Sequence, residues 1–329
     1  MNAAAPILSI KDLSTWFDTR AGIAKAVDGV SFELNAGETL CVVGESGCGK
    51  SITALSIMGL IPRPGRVVNG QILFKDLDLL ALKEREFAKV RGNRISMIFQ
   101  DPSSSLNPVH TVGDQIAEVF TLHMGMSDNQ AHKAALDVMK AVGIPDPETR
   151  MKAYPHEMSG GMAQRIMIAM ALACEPEVLI ADEPTTALDV TIQAQILDLM
   201  RELQEKSATA TILITHDLGI VAEMADKVAV MYAGQVVEFA DVMSLFENPQ
   251  HPYTKALMRS IPVIGAEQEL LEVIEGRVPP LTNLPQGCRF APRCAERKET
   301  PDPRCETTPP ELVDIGGGHT CRCWLRNGQ

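Results

Sequence analysis

One eight-residue segment constrains this chain more than any other: residues 44–51, with the sequence Gly44-Glu45-Ser46-Gly47-Cys48-Gly49-Lys50-Ser51. It follows a short apolar run, Thr39–Val43, that suits a buried strand, and it precedes an apolar helix predicted over Lys50–Leu60. This order and the spacing G-x-x-x-x-G-K-[ST] predict a phosphate-binding loop. The alternative, a glycine-rich turn with a chance lysine, does not explain why a strand and a helix flank the segment.

The loop predicts a nucleoside triphosphate and Mg²⁺ as ligands. Its glycines let successive backbone N–H groups face one anion, and the following helix presents its positive end to the same anion. Lys50 is expected to reach the β- and γ-phosphates, and Ser51 to ligate Mg²⁺. Cys48 is interpreted as a small packing residue of the loop rather than a reactive thiol.

A second apolar run, Val178–Ala181, ends in two acidic residues. An acidic pair after a strand is by itself common at the start of a solvated loop. Combined with the glycine loop, it predicts that Asp182 holds the Mg²⁺ shell. It also predicts that Glu183 polarises a water molecule for attack on the γ-phosphate.

The remaining pattern alternates strands and helices. Short apolar or alternating runs, Ile7–Leu13, Ala26–Leu34 and Thr211–Thr215, predict further strands. Lys227–Ala240 predicts a hairpin that turns at Ala233-Gly234. This order is typical of an α/β protein with a mostly parallel, covered sheet. Prolines recur after residue 241, so we predict a domain over residues 1–240 and a loop-rich extension over residues 241–329.

Composition excludes some classes of function. The net charge is −12, which argues against a general nucleic-acid-binding protein, because such proteins need a basic face for phosphates. The longest apolar stretch, Ile166–Cys174, is much shorter than the roughly 20 residues of a membrane helix. Residues 1–10 show no secretion signal. We therefore expect a cytosolic protein that works at a membrane only by docking to another protein.

The segment Met158-Ser159-Gly160-Gly161-Met162 resembles the LSGGQ signature of ABC ATPases, and the resemblance covers about residues 7–240. Ser159 is placed to cap the apolar helix that follows, and the free N–H groups of that helix form a second anion site. A plain helix start explains the serine but not two consecutive glycines, which destabilise a first turn. Close approach to a phosphate explains both glycines.

Other residues match the family in order along the chain. The resemblance implies that Gln100 contacts Mg²⁺ and the attacking water, that His216 contacts the γ-phosphate and that Asp189, in Ala187-Leu188-Asp189, lies at a dimer seam. Phe17 stands where an aromatic ring stacks on adenine. Trp16 is the alternative for that role, and either ring can simply be a core aromatic.

Three residues depart from the family pattern. Met162 replaces the signature glutamine and Met158 its leucine, although methionine at the fifth position is familiar in peptide-importer relatives. Ala163 stands where those relatives usually have arginine, which puts a local surface contact in doubt. None of the three is expected to abolish ATP hydrolysis.

The resemblance implies a P-loop NTPase fold of the ABC ATPase type. This fold has a mixed sheet core, a helical subdomain at about residues 101–173 and here a small extension rich in cysteine and proline. In this family one nucleotide lies between the glycine loop of one subunit and the Ser-Gly-Gly segment of another. The chain is therefore expected to pair with a second ABC ATPase subunit, with ATP joining the two.

Segments near the end of the chain indicate which branch of the ABC ATPase family this chain resembles. His251-Pro252-Tyr253-Thr254, residues 287–294 and Tyr154-Pro155-His156-Glu157 resemble oligopeptide and dipeptide importer ATPases. This resemblance implies ATP-driven peptide uptake at the cytoplasmic face of a bacterial inner membrane. The implied partners are two membrane permeases and an extracytoplasmic peptide-binding protein. Importers of nickel or oligosaccharide share this tail, and a soluble ABC ATPase of DNA repair or translation is the rival from another class.

Five of the eight cysteines lie in the last 42 residues, at positions 288, 294, 305, 321 and 323. In relatives of this kind such a cluster holds a [4Fe–4S] centre, and the resemblance favours Cys288, Cys294, Cys305 and Cys323 as its ligands. Cys323 fits the family ending better than Cys321, because Trp324-Leu325 follows it. A zinc site with four thiolates and a set of unliganded cysteines are the alternatives.

Overall fold

A computed structural model of the chain describes residues 5–185, 189–260 and 274–326. The residues group into two compact units. The first unit comprises Met1–Ile7, Leu34–Glu38 and Ala81–Ile214. The second comprises Leu8–Glu33, Thr39–Leu80 and Thr215–Gln329.

Strands occur along the whole chain. They are β1 (Leu8–Thr19), β2 (Gly22–Leu34), β3 (Thr39–Val43), β4 (Gly65–Phe74), β5 (Leu77–Asp78), β6 (Ile95–Ile98), β7 (Val178–Asp182), β8 (Ala210–Ile214), β9 (Lys227–Tyr232), β10 (Gln235–Asp241), β11 (Val313–Asp314) and β12 (Thr320–Cys321).

The helices are most frequent between β6 and β7. They are α1 (Lys50–Ile57), α2 (Glu84–Phe87), α3 (Pro102–Ser105), α4 (Val112–Met124), α5 (Asp128–Ala141), α6 (Pro147–Arg150), α7 (Gly160–Leu172), α8 (Val190–Ser207), α9 (Leu218–Met224), α10 (Val242–Glu247), α11 (Pro252–Arg259), α12 (Glu296–Glu299) and α13 (Arg304–Thr307). In the described ranges, no helix has both the length and the apolar composition required to span a bilayer.

In the first unit, β6, β7 and β8 pair in parallel, and every residue of these strands is buried. Parallel strands covered on both faces read as continuous apolar runs, which is why these segments stand out in the sequence. Helices α3 to α7 lie between β6 and β7 in the chain, within the interval predicted for the helical subdomain. Polar side chains define where the helices begin, as at α4, where the Thr111 hydroxyl accepts the Asp114 N–H.

In the second unit, β3 pairs in parallel with β9, and β9 pairs antiparallel with β10. The predicted hairpin and its turn at Ala233-Gly234 are confirmed, since β9 ends at Tyr232 and β10 begins at Gln235. The tail continues this sheet, because β12 pairs with β10 and β11 pairs with β12. Parallel and antiparallel pairing thus occur together, as expected for a mixed sheet.

A separate antiparallel sheet in the second unit has the order β2-β1-β4-β5. The register of β1 against β4 shifts between Lys11 and Thr15. Gly70 is required there, because a Cβ atom at this residue would lie 2.6 Å from the Leu13 Cα and its φ is +107°. Strand β4 is not among the strands predicted from the sequence.

Glu238 of β10 is a buried carboxylate that ties three parts of the second unit together. Its carboxylate accepts the backbone N–H groups of Gln250 at 2.6 Å and His251 at 2.8 Å, and it contacts the His319 Nε2 at 2.7 Å. Burial by itself raises the pKa of Glu238, but these hydrogen bonds outweigh burial and leave its pKa below the usual range. The ionised carboxylate therefore stabilises the folded chain above the ordinary glutamate pKa, and this contribution is lost as the pH falls through the lowered value.

Replacing Glu238 by Gln is expected to lower the free energy of unfolding at neutral pH by about 3 kcal/mol, because an amide N–H₂ would face backbone donors in a buried site. The difference between variant and wild type should shrink as the pH falls through the lowered pKa of Glu238, because the wild-type carboxylate is then protonated. Urea unfolding at several pH values measures both effects. Glu299→Gln, at an exposed residue of α12, is the control; equal effects of the two variants would contradict the assignment.

Candidate functional site

The predicted phosphate loop, residues 44–51, connects β3 to α1 in the second unit. Two of its glycines are imposed by close packing. A Cβ atom at Gly44 would lie 2.2 Å from the Met231 carbonyl oxygen, and one at Gly49 would lie 2.3 Å from the Ala26 carbonyl oxygen. Both also have positive φ, so no other residue fits without moving the backbone.

Lys50, the first residue of α1, lies under this loop. Its Nζ donates hydrogen bonds to the carbonyl oxygens of Gly44 at 2.7 Å and Glu45 at 3.2 Å. The side chain is thus directed along the loop rather than away from it. Gly49, at the start of α1, makes no side-chain cap.

Cys48 has the environment expected of a packing residue. It is fully buried, and burial raises the pKa of its thiol. A high thiol pKa keeps the sulfur protonated and poorly nucleophilic. This agrees with the interpretation of Cys48 as a filler of the loop.

His216 belongs to the same unit as the loop. The preceding residue, Thr215, donates its N–H to the Val42 carbonyl oxygen at 3.3 Å, and Val42 lies in the strand that leads into the loop. The next residue, Asp217, caps α9 through the N–H groups of Gly219 and Ile220. Between these two anchors His216 is exposed.

Trp16 and Phe17, the two adjacent aromatic residues of β1, make different contacts. Phe17 is half-buried, and its ring packs closely on Gly65, where an added Cβ would lie 2.5 Å from the ring. Trp16 has the Lys25 ammonium 4.8 Å from its ring centroid, and its buried indole N–H has no hydrogen-bond partner in the described structure. The stacking role of Phe17, with Trp16 as the alternative, stays a prediction.

In the first unit, β7 ends at Asp182, which is buried, and Glu183 follows. Glu183 has a positive φ of 47°, an uncommon backbone conformation for a residue other than glycine. Its N–H donates to the Ile214 carbonyl oxygen of β8 at 2.9 Å. The Gln100 Nε2 donates to the Glu183 Oε2 at 3.0 Å. The structure therefore brings together Gln100 and Glu183, two residues that the sequence analysis selected separately.

Gln164 is a contributor that the sequence analysis missed. It lies in α7, is buried, and its Nε2 donates to the Pro184 carbonyl oxygen at 2.6 Å. The helix that follows the Ser-Gly-Gly segment thus holds the backbone next to Glu183. The sequence signal was weak: Gln164 and Arg165 are two adjacent polar residues in a helix whose other residues are apolar or glycine.

Ser159 caps α7 as predicted, because its hydroxyl oxygen accepts the Met162 N–H at 3.3 Å. An added Cβ would meet no atom within 4 Å at Gly160, and would meet the Ile192 side chain at 3.3 Å at Gly161. Packing against the described residues therefore does not account for glycine at position 160. Ala163, one of the departures from the family pattern, is buried.

Asp189 caps α8, since its Oδ1 accepts the Ile192 N–H at 3.0 Å. The preceding Ala187 and Leu188 lie outside the described residues. The role of Asp189 at a dimer seam stays a prediction.

The structure brings the predicted cysteine ligands into one neighbourhood of the tail. Burial, with the nearby Cys305 and Cys294 thiols, raises the pKa of Cys288 to about 11. Burial, with the nearby Cys288 and Cys294, raises that of Cys323 to about 12. Cys321 is different, because it pairs with Glu238 across the sheet.

The described residues nevertheless contain no group of three or more His, Cys, Asp or Glu side chains arranged to hold a metal ion. The donor set has the chemistry of a thiolate site, but its placement is not that of a formed ligand shell. The predicted [4Fe–4S] centre has no further support in these contacts.

The predicted site residues are thus distributed over both units. The second unit holds Phe17, residues 44–51 and His216; the first holds Gln100, Ser159 to Gly161, Asp182, Glu183 and Asp189. Each group is placed on the ends of strands or the beginnings of helices, where backbone N–H groups and acidic side chains are available to a ligand.

Comparison with known proteins gives two family matches. Residues 27–186 match the family described as ABC transporter. Residues 237–300 match the family described as the C-terminal region of oligopeptide/dipeptide transporters.

Relatives match over nearly the full length. The chain is 52% identical to an oligopeptide transport ATP-binding protein of Bacillus subtilis, AppD, over 97% of this chain and 96% of the relative. It is 47% identical to the dipeptide transport ATP-binding protein DppD of Escherichia coli, over 96% of each chain.

A solved structure of a dimeric ATP-binding cassette with bound ADP and Pi superposes with a TM-score of 0.65 at 25% identity. The alignment covers 71% of this chain and 98% of that structure. The remaining 29% of this chain has no counterpart in that alignment.

Proposed function

Because this chain belongs to the ATP-binding proteins of the oligopeptide/dipeptide family of ABC transporters, we propose that it binds MgATP and that its hydrolysis of ATP powers peptide uptake across a bacterial inner membrane. The observation that carries this proposal is the full-length identity of 52% to an oligopeptide transport ATP-binding protein. The glycine loop and the acidic end of β7 supply the residue types that such an activity needs.

The proposal assigns roles residue by residue. Backbone N–H groups of residues 44–51 bind the phosphates, Lys50 neutralises their charge, and Ser51 and Asp182 hold Mg²⁺. Glu183 polarises the attacking water, with Gln100 and His216 orienting the water and the γ-phosphate. The Gln100–Glu183 hydrogen bond of 3.0 Å supports this pairing, because it holds the carboxylate in one direction.

Two such chains are proposed to share the nucleotides. Gly160 supports this, since no atom of the described residues lies within 4 Å of the position that its Cβ would take, and a glycine there leaves room for a phosphate from outside. The partner is a second ABC ATPase subunit, identical or homologous. Binding of ATP joins the subunits, and hydrolysis releases them.

The proposed location is peripheral, on the cytoplasmic face of the membrane. The proposed membrane partners are two permease subunits, and an extracytoplasmic peptide-binding protein delivers the cargo. The functions for which these relatives are named, oligopeptide and dipeptide transport, favour peptide over nickel or oligosaccharide as cargo. The same names disfavour a soluble ABC ATPase of DNA repair or translation.

Two substitutions should separate ATP binding from ATP hydrolysis. Lys50→Ala removes a charged donor and should weaken ATP binding by about 10- to 100-fold. Glu183→Gln keeps the shape of the side chain but removes the base, so ATP should bind normally while turnover falls by about 10²- to 10⁴-fold. Equilibrium nucleotide binding and phosphate release measure the two quantities.

The controls are Lys11→Ala and Glu175→Gln, at exposed residues of matching type. Both should behave like the wild type. Normal ATP affinity in Lys50→Ala would remove the role given to Lys50. Near-normal turnover in Glu183→Gln would place the catalytic base elsewhere.

Membrane partners are tested by capture from the cells that make the protein. The Glu183→Gln chain with ATP is expected to retain permeases and a second ATPase subunit during purification from solubilised membranes, since it binds ATP without hydrolysing it. Mass spectrometry identifies the retained proteins, and Lys50→Ala serves as the control that should retain less of the second ATPase. Recovery of ribosomal or DNA-repair proteins in place of permeases would contradict the transport function.

A metal centre in the tail is a separate proposal, supported by the sequence spacing of Cys288, Cys294, Cys305 and Cys323 and by the resemblance to peptide-importer relatives. These four thiols would hold a [4Fe–4S] cluster, and the cluster would supply structural cross-linking to a tail with little core of its own. Zinc held by the same thiolates is the rival. No step of ATP hydrolysis is assigned to this metal centre of the tail.

Anaerobic purification followed by metal and sulfide analysis tests the proposal. Wild-type protein is expected to contain iron and sulfide in about equal amounts, and Cys288→Ser should lose both. Cys174→Ser, at a cysteine of the first unit, should retain both. Zinc without iron would support the rival, and protein with neither element would contradict any metal centre.

A further inference from the structure

Two side chains of the C-terminal tail contact the phosphate loop at one residue, Glu45. The Tyr253 hydroxyl oxygen accepts the Glu45 backbone N–H at 2.9 Å. The Arg293 Nη1 donates to the Glu45 side chain at 3.0 Å. The loop is therefore held from the tail at both its backbone and its side chain.

Tyr253 is fixed in position before it meets the loop. It is fully buried, and its ring packs against Tyr232 and Phe290 with centroid distances of 4.7 and 5.4 Å. Its own N–H donates to the His251 Nδ1 at 3.1 Å. Burial lowers the pKa of His251 to about 4, so the imidazole is neutral near pH 7 and its Nδ1 stays an acceptor. Glu238 holds the His251 N–H in turn, at 2.8 Å.

Arg293 is equally constrained. Its side chain is only 6% exposed, and the guanidinium donates to the carbonyl oxygens of Ile274 at 3.1 Å and Glu275 at 2.9 Å. It also donates to the Tyr232 hydroxyl at 3.3 Å. A guanidinium group with four acceptors has little rotational freedom. Its contact with Glu45 therefore restrains the position of the Glu45 side chain in addition to pairing with its charge.

The loop needs such support because of its composition. Gly44, Gly47 and Gly49 all have positive φ, and glycine loses more conformational entropy on ordering than any other residue. Phosphate binding requires the N–H groups of the loop to point at one anion at the same time. Contacts that order the loop beforehand reduce the entropy lost when the phosphates bind, and this raises affinity.

We propose that Tyr253 and Arg293 are positioning residues for the phosphate loop, so that the tail tunes the affinity for ATP. The inference rests on the proposed ATP-binding function. It assigns a role to the His-Pro-Tyr segment and to the segment between Cys288 and Cys294. Neither segment has a role in the ATP hydrolysis proposed above.

The test compares variants that remove one contact each. Tyr253→Phe keeps the buried ring and removes the acceptor for the Glu45 N–H. Arg293→Met keeps an unbranched side chain and removes the donors. Each should raise the Kd and the KM for ATP by about 3- to 10-fold with kcat within about twofold of wild type, because one net hydrogen bond to the loop is lost in each case.

Hydrogen exchange gives a readout that does not depend on activity. In protein without nucleotide, the amides of residues 44–51 should exchange faster in both variants than in wild type, while those of β6 to β8 stay unchanged. Arg293→Met should increase the exchange rate and the KM for ATP much less in a Glu45→Gln variant than in wild type, because the two substitutions remove the same contact.

Controls use residues of the same type elsewhere. Tyr154→Phe, at an exposed tyrosine of the first unit, and Arg304→Met, at a tail arginine that pairs with Asp302, should leave the KM and the exchange unchanged. Unchanged loop exchange and KM in Tyr253→Phe and Arg293→Met would overturn the inference and leave ATP binding standing. A wild-type chain that binds no ATP would instead overturn the proposed function.

Discussion

The close approach of backbone to backbone around residues 44–51 is the constraint on which the rest of the second unit depends. Gly44 lies against the Met231 carbonyl and Gly49 against the Ala26 carbonyl, at distances that exclude any side chain. These contacts fix the loop between β3, β9 and β2. Lys50 then lies along the loop, where its Nζ donates to the Gly44 and Glu45 carbonyl oxygens. Backbone packing therefore fixes the position and the conformation of the loop.

A second buried interaction organises the tail around that loop. The Glu238 carboxylate holds the backbone of Gln250 and His251 as well as the His319 ring. His251 positions Tyr253, and Tyr253 meets Glu45. This series of contacts explains why an extension with short helices and many prolines packs against the described part of the second unit, and how it contacts the phosphate loop.

Much of the fold follows from local sequence patterns, and the contacts between distant segments do not. The strand–loop–helix unit around Lys50 and the hairpin at Ala233-Gly234 were predictable, because their signals are local: an apolar run, glycines at fixed spacing and a turn. Strand β4 was missed, since its pairing partner β1 lies about fifty residues earlier and its register shifts on the way. The Gln164–Pro184 and Arg293–Glu45 contacts were missed for the same reason, as spacing along a chain carries no information on such pairs. The cysteines show the opposite error of sequence analysis, in which a pattern predicts a site that is not formed. Their spacing predicted a shell of metal ligands, and the described side chains are not arranged as one.

The pairing of β12 with β10 has a consequence for how such chains evolve. A tail that merely followed the cassette could be exchanged between relatives by recombination at its junction. Here the last strands complete a sheet whose other members come from the cassette, and removing them would leave a bare strand edge open to non-native association. We therefore expect cassette and tail to be inherited as one piece, with a substitution on either side of the β10–β12 pairing selected together with its neighbour on the other side.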